Sequence, residues 1–133
     1  MADMAGTDTK ADTAVVAEWR EIRAAHARTM CELDRELNPY GLGASDFEVL
    51  DVLVEVSGGM RVQELADRVC LSQSALSRLV ARLEKNGLLN RGMCPEDRRG
   101  VSVCATDAGR AVHREVLPLQ RAVLERMISQ PVR

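Results

Sequence analysis

Arg78, Arg82 and Lys85 recur at steps of four and three residues, a spacing that brings side chains to one side of an α-helix. Ser74, Ser77 and Ala81 extend the same side, and Ser72 and Gln73 stand at its N-terminal end. Hydroxyl, carboxamide and guanidinium groups in this arrangement suit hydrogen bonding to nucleic acid. Arginine pairs bidentately with guanine and glutamine with adenine, while further cations rest on phosphates. Arg78 and Gln73 are therefore candidates for base edges, and Arg82 and Lys85 for the sugar-phosphate backbone. Free N–H groups and the helix dipole at Ser72 and Gln73 also favour a phosphate there.

A solvated face on any amphipathic helix has a similar composition, so the flanking residues decide between the readings. Ala75, Leu76, Leu79, Val80 and Leu83 supply an apolar back that can lock the helix onto neighbours. Ser72 is a good N-cap, and Asn86-Gly87 a good stop. A short helix over Gln63 to Val69, with Leu65, Ala66 and Val69 inward, precedes it across Cys70-Leu71-Ser72. Two short helices joined by so tight a turn form a helix-turn-helix candidate. A hairpin follows: Leu88 to Met93, a polar tip from Cys94 to Gly100, and Val101 to Ala105. It carries Arg91, Arg98 and Arg99, and an arginine on a narrow tip suits the negative potential of a narrow minor groove. Helix and basic hairpin together favour double-stranded DNA as the partner.

Outside this region, Val15, Trp19, Ile22, His26, Met30, Leu33 and Leu37 mark one face of a long helix, ended by Asn38-Pro39-Tyr40-Gly41. Ser45-Asp46-Phe47-Glu48 matches a capping box, with a second helix running through Val56 to Ser57-Gly58-Gly59. Met60-Arg61-Val62 reads as a short extended piece. Thr106 caps a fifth helix, with Asp107 well placed for its dipole, running through Ile128. The fold class is thus mostly α with a small β-hairpin wing. Residues 1–12 read as a disordered tail, 13–38 with 106–133 as a helical region, and 45–105 as a winged helix-turn-helix domain.

Composition agrees with one domain of 133 residues. Aromatic residues make up only 2%, so Leu, Val and Ala must build the core, which favours packed helices. The net charge of -2 hides a division: residues 1–60 hold five Lys/Arg against twelve Asp/Glu, but residues 61–110 hold nine against six. A basic middle in an acidic chain is a localised electrostatic footprint. No apolar run approaches the ~20 residues of a membrane span, and the N-terminus has no signal-peptide pattern, so a cytoplasmic location with reduced thiols is expected. There is no phosphate loop and no G-x-S-x-G, and the reading is of a non-enzyme with no cofactor. Two distant His and scattered Cys offer no metal site.

Ser72-Gln73-Ser74-Ala75-Leu76-Ser77-Arg78-Leu79-Val80, with Leu83-Glu84-Lys85-Asn86-Gly87-Leu88-Leu89, resembles the recognition helix and first wing strand of MarR-family regulators. Asp97-Arg98-Arg99, then Val101, Val103, Thr106 and Gly109, is similar to that family's wing signature. The resemblance spans Leu33 to Ile128, and Cys70 stands where the family often has Gly. It implies a transcriptional regulator, here read as a repressor. A homodimer joined through the first and fifth helices would bind a near-palindromic operator. Recognition helices would enter successive major grooves about one turn apart, roughly 34–36 Å. Asp97 would brace Arg99, and Arg98 or Arg99 would enter the minor groove. It also implies release by a small-molecule effector, in a pocket that Trp19, His26, Met30 and His113 could line, though core or interface packing is the favoured reading of those residues, since nothing in their spacing demands a ligand. Two other readings stay open. Cys70, near a helix N-terminus and basic groups, could sense oxidants, with Cys31 and Cys104 as apolar fillers. A winged helix can also be a protein–protein module, which would predict an apolar front in place of Arg78 and Arg82.

Overall fold

The computed structural model describes residues 9–92 and 102–128. Helix α1, Thr9–Leu37, opens the chain and is rich in Ala and long straight side chains, the strongest helix formers. It begins before the expected tail ends, so Thr9, Lys10, Ala11 and Asp12 are helical; residues 1–8 lie outside the described residues. Pro39 cannot continue the helix, and a 3-10 turn over Asn38–Tyr40 closes on Gly41 at φ 78°, a left-handed conformation that glycine adopts without penalty.

Helix α2, Ala44–Leu53, starts just before Ser45, the predicted cap. Gly43 is the N-cap, and the Asp46 carboxylate accepts its N–H at 2.8 Å. The Ala44 N–H is taken by Asp34 Oδ1, also at 2.8 Å, from the last turns of α1. Ser45 and Glu48 thus sit inside the helix, and their capping-box pattern is not used. The helix also stops at Leu53, three residues short of expectation, and leads through Gly59 (φ 85°) into β1, Met60–Arg61. Val62 belongs to the next helix, α3, Val62–Val69, not to the extended piece.

Helix α4, Gln73–Lys85, is followed by β2, Leu89–Gly92, β3, Ser102–Ala105, and α5, Asp107–Ile128. The sheet has three antiparallel strands in the order β1-β3-β2, one more than the hairpin alone. Met60 pairs with Val103, and Arg91 pairs with Val103 from the other side. The tip, residues 93–101, lies outside the described residues, and with it Cys94, Asp97, Arg98, Arg99 and Val101.

The main core is aliphatic, as the composition requires: Leu50 and Leu53 of α2, Leu65 of α3, and Leu76, Val80 and Leu83 of α4 are fully buried with Phe47. Leu89, Val103 and Val116 close it from the sheet and α5. A second cluster, Leu33, Ala44 and Val123 with Met30, Leu124 and Met127, joins the end of α1 to α5. The apolar stripe of α1 is therefore used at one end only. Leu33 and Leu37 are buried, while Val15, Trp19 and Ile22 stay 63%, 56% and 55% exposed.

Candidate nucleic-acid interface

The turn before α4 sets its angle. Cys70 adopts φ 58°, ψ 41°, and is the one described non-glycine residue with positive φ. The Leu71 N–H then reaches back to the Ala66 carbonyl at 3.1 Å, which closes α3 with a Schellman turn. Ser72 Oγ accepts the Ala75 N–H at 3.1 Å, so the predicted N-cap of α4 is made. Leu76, Leu79, Val80 and Leu83 anchor the back of the helix in the core. That leaves Ser72, Gln73, Ser74, Ser77, Arg78, Ala81, Arg82 and Lys85 exposed together, the arrangement read from their spacing. Among the described residues Arg78 has no ion-pair partner.

Arg82 differs. Its guanidinium pairs with Asp46 Oδ1, the carboxylate whose other oxygen holds the Gly43 N–H. Arg82, expected at a phosphate, is in this state a tie between α4 and the start of α2. Arg91, on β2, lies 3.4 Å from Glu84 of α4, with both side chains 38% exposed, a weak surface contact.

The base of the wing is fixed by Thr106 and Gly109. Thr106 Oγ1 accepts the Gly109 N–H at 3.0 Å and donates to the Gly87 carbonyl at 2.6 Å. The Thr106 N–H donates to the Leu88 carbonyl at 3.1 Å. One residue thus caps α5 and clamps it to the turn that ends α4. A Cβ at Gly109 would lie 2.2 Å from the Leu88 carbonyl oxygen, so only glycine permits this approach. The T-x-x-G spacing read from the sequence has that physical content.

The four residues considered for an effector pocket are not brought together. His26 and Met30 line a cleft of about 370 Å³ between α1, α2 and the α3–α4 turn. Trp19 lies outside it, with the Arg23 guanidinium 6.0 Å from its ring centroid. His113 is buried instead in the core, stacked on Phe47 with ring centroids 5.0 Å apart. Its Nε2–H donates to Asp51 Oδ1 at 2.7 Å, and Arg121 grips both oxygens of Asp51 at 3.2 and 3.1 Å. With Arg110 donating to the Val54 and Val56 carbonyls at 3.0 and 3.3 Å, these contacts fasten α5 to α2. The rest of the cleft wall is mixed: Leu33, Ala44, Val69 and Leu71 stand beside Ser45, Glu48, Arg68 and Cys70, from elements that no local pattern connects. Cys70 is exposed at this wall; Cys31 is exposed on α1 and is no core filler. Among the described residues no group of three or more His, Cys, Asp or Glu could hold a metal ion.

The MarR family model matches residues 44–101, from the start of α2 into the wing. The HTH-type transcriptional regulator MhqR of Bacillus subtilis (strain 168) is 28% identical over 97 residues, 73% of this chain. The match spans 66% of MhqR, just under two thirds of its length. Sco3205, a MarR family transcriptional regulator from Streptomyces coelicolor solved in complex with DNA, is 32% identical with a TM-score of 0.77, covering 88% of this chain and 74% of that one. The chain belongs to the MarR family. Another similar structure, CouR from Rhodococcus jostii RHA1 bound to p-coumaroyl-CoA, has a TM-score of 0.75 at 25% identity, covering 84% of this chain and 78% of that one. The mostly helical architecture with a small three-stranded sheet is the winged helix-turn-helix fold of the MarR family, and no described helix is long and apolar enough to cross a membrane.

Proposed function

We propose that this MarR-family chain is a cytoplasmic transcriptional repressor that binds a near-palindromic operator in double-stranded DNA as a homodimer. One observation carries the reading: α4 is locked by its apolar back while Ser72, Gln73, Ser74, Ser77 and Arg78 are exposed together on its front. Residues 45–105 form the DNA-binding unit in this reading. By the family resemblance, Arg98 or Arg99 of the tip would extend it to the minor groove, with Asp97 bracing Arg99. The regions 13–38 and 106–133 form the dimer. Supporting that half, Val15, Trp19 and Ile22 continue the stripe whose other end already packs on α5, and each apolar side chain buried there contributes about 1.5–3 kcal/mol.

Release of the operator by a small molecule is the reading that the cleft supports. Its volume of about 370 Å³ falls in the range of small-ligand pockets, and its wall includes the α3–α4 turn that orients the reading helix. An occupant touching Leu71 and Cys70 would bear on the angle of α4. Selection of bound fragments from genomic DNA, followed by fluorescence anisotropy on the winning fragment, tests the whole. Arg78→Ala should weaken that fragment by about 1–3 kcal/mol and relax preference at one base position. Equal binding by parent and variant would remove Arg78 as the reader.

A further inference from the structure

Arg82 stands four residues after Arg78, so the two guanidinium stems rise from neighbouring turns of α4. Arg82 leans to the flank that meets α2, where its partner Asp46 waits. The Asp46 side chain is 5% exposed against 55% for Arg82, so the carboxylate is fixed and the arginine's far side is open to solvent. Asp46 is fixed because its Oδ2 accepts the Gly43 N–H at 2.8 Å, and because the next residue, Ala44, donates its N–H to Asp34 of α1 at 2.8 Å. The Asp46 carboxylate is thus also held at the start of α2 by a contact that does not involve Arg82. An arginine at the edge of a reading helix would otherwise be free to rest on a phosphate of any sequence.

We propose that Asp46 limits sequence-independent DNA binding by withholding Arg82 from the phosphate backbone. This rests on the DNA-binding reading above and adds to it a positioning residue that no contact with DNA would reveal. The carboxylate acts by occupying the guanidinium, so that the paired Arg82 offers little net charge to a phosphate. With Arg82 held, Arg78 and Lys85 are the cations that the front of α4 offers, and discrimination depends on base contacts rather than on bulk attraction.

Asp46→Asn tests this, since the amide oxygen can still accept the Gly43 N–H while the charge that holds Arg82 is gone. The assay is binding of the intact protein to a random-sequence duplex across a salt series. One released phosphate contact steepens the log–log salt slope by about 0.9, or roughly eightfold in affinity at 0.1 M salt. Asp46→Asn should show that change, Arg82→Gln in the parent should leave the slope unaltered, and the double variant should return to the parental slope. A merely structural role would move the melting temperature and leave the slope alone. An unchanged slope in a folded Asp46→Asn protein overturns the proposal, as does a steepening that persists in the double variant. Should Asp46→Asn fail to fold, Arg82→Gln alone decides: an unchanged slope supports the proposal, and a flattening by about 0.9 shows that Arg82 already contacts phosphate and overturns it. A parent that binds no duplex at any salt refutes the DNA-binding reading itself, a result distinct from either.

Discussion

Gly109→Ala strikes a close backbone approach between α5 and the chain just after α4. The new Cβ would meet the Leu88 carbonyl oxygen at 2.2 Å, well inside any real contact, and the obstacle is backbone rather than a side chain that could swing away. The same oxygen accepts the Thr106 N–H at 3.1 Å, so moving it also disturbs the cap of α5. Alanine in a helix is favoured over glycine by about 1 kcal/mol. Against this stand about 1–3 kcal/mol for overpacking and about 1 kcal/mol for the weakened hydrogen bond. The net expectation is a loss of about 1–3 kcal/mol, read by urea denaturation at matched protein concentration, because a dimer's stability depends on concentration. Gly87 is the control. It has φ +80°, and a methyl added there would meet nothing within 4 Å, so Gly87→Ala costs only the left-handed backbone, about 1–2 kcal/mol. A Gly109→Ala protein as stable as the parent would refute the close approach as the reason for glycine.

At Cys70, replacement by Gly should stabilise by about 0.5–1 kcal/mol, since the left-handed φ of 58° suits glycine; a lowered melting temperature would show that the thiol makes a compensating contact. Glu32 joins Arg35 on α1 to Arg126 on α5, and its carboxyl is held below the ordinary 4.5, chiefly by the Arg35 hydrogen bond. A depressed carboxylate stabilises the fold above 4.5 and loses that contribution as pH falls through its folded value, so Glu32→Gln should flatten the acid limb of a pH–stability profile measured below 4.5. Trp19→Asp with Ile22→Asp should shift the proposed dimer toward monomer in analytical ultracentrifugation, and an unchanged sedimentation coefficient would remove these residues from its contact.

Helix α4 was legible because every device that shapes it is local. Ser72 caps it, Leu76, Leu79, Val80 and Leu83 repeat at helical spacing, and Asn86-Gly87 ends it. The α5 cap was legible for the same reason, through Thr106. The start of α2 was not. Ser45 and Glu48 satisfy a capping-box pattern, yet Gly43 is preferred because Asp34, ten residues away, supplies the Ala44 N–H with a partner. Gly43 and Asp46 lie three apart and were a local signal for that start, but glycine is a weaker cue than serine. Long-range pairs carried the remaining surprises. Asp46 meets Arg82 over 36 residues of sequence, and His113 meets Asp51 over 62, so neither partner shows in any window. For His113 this mattered: near the start of α5 its position admits a pocket role beside the favoured packing reading, and the fold packs it, stacked on Phe47. His26 and Met30 reached the cleft because α1 runs past the α3–α4 turn, a fact of packing and not of spacing.

Footprinting of the intact protein on a fragment selected from genomic DNA tests the central claim most directly. Two protected half-sites with centres about 34–36 Å apart, both lost together with Arg78→Ala at a concentration that saturates the parent, are the predicted result. A single protected half-site, or a footprint indifferent to Arg78→Ala, would contradict the account of a dimer reading DNA through α4.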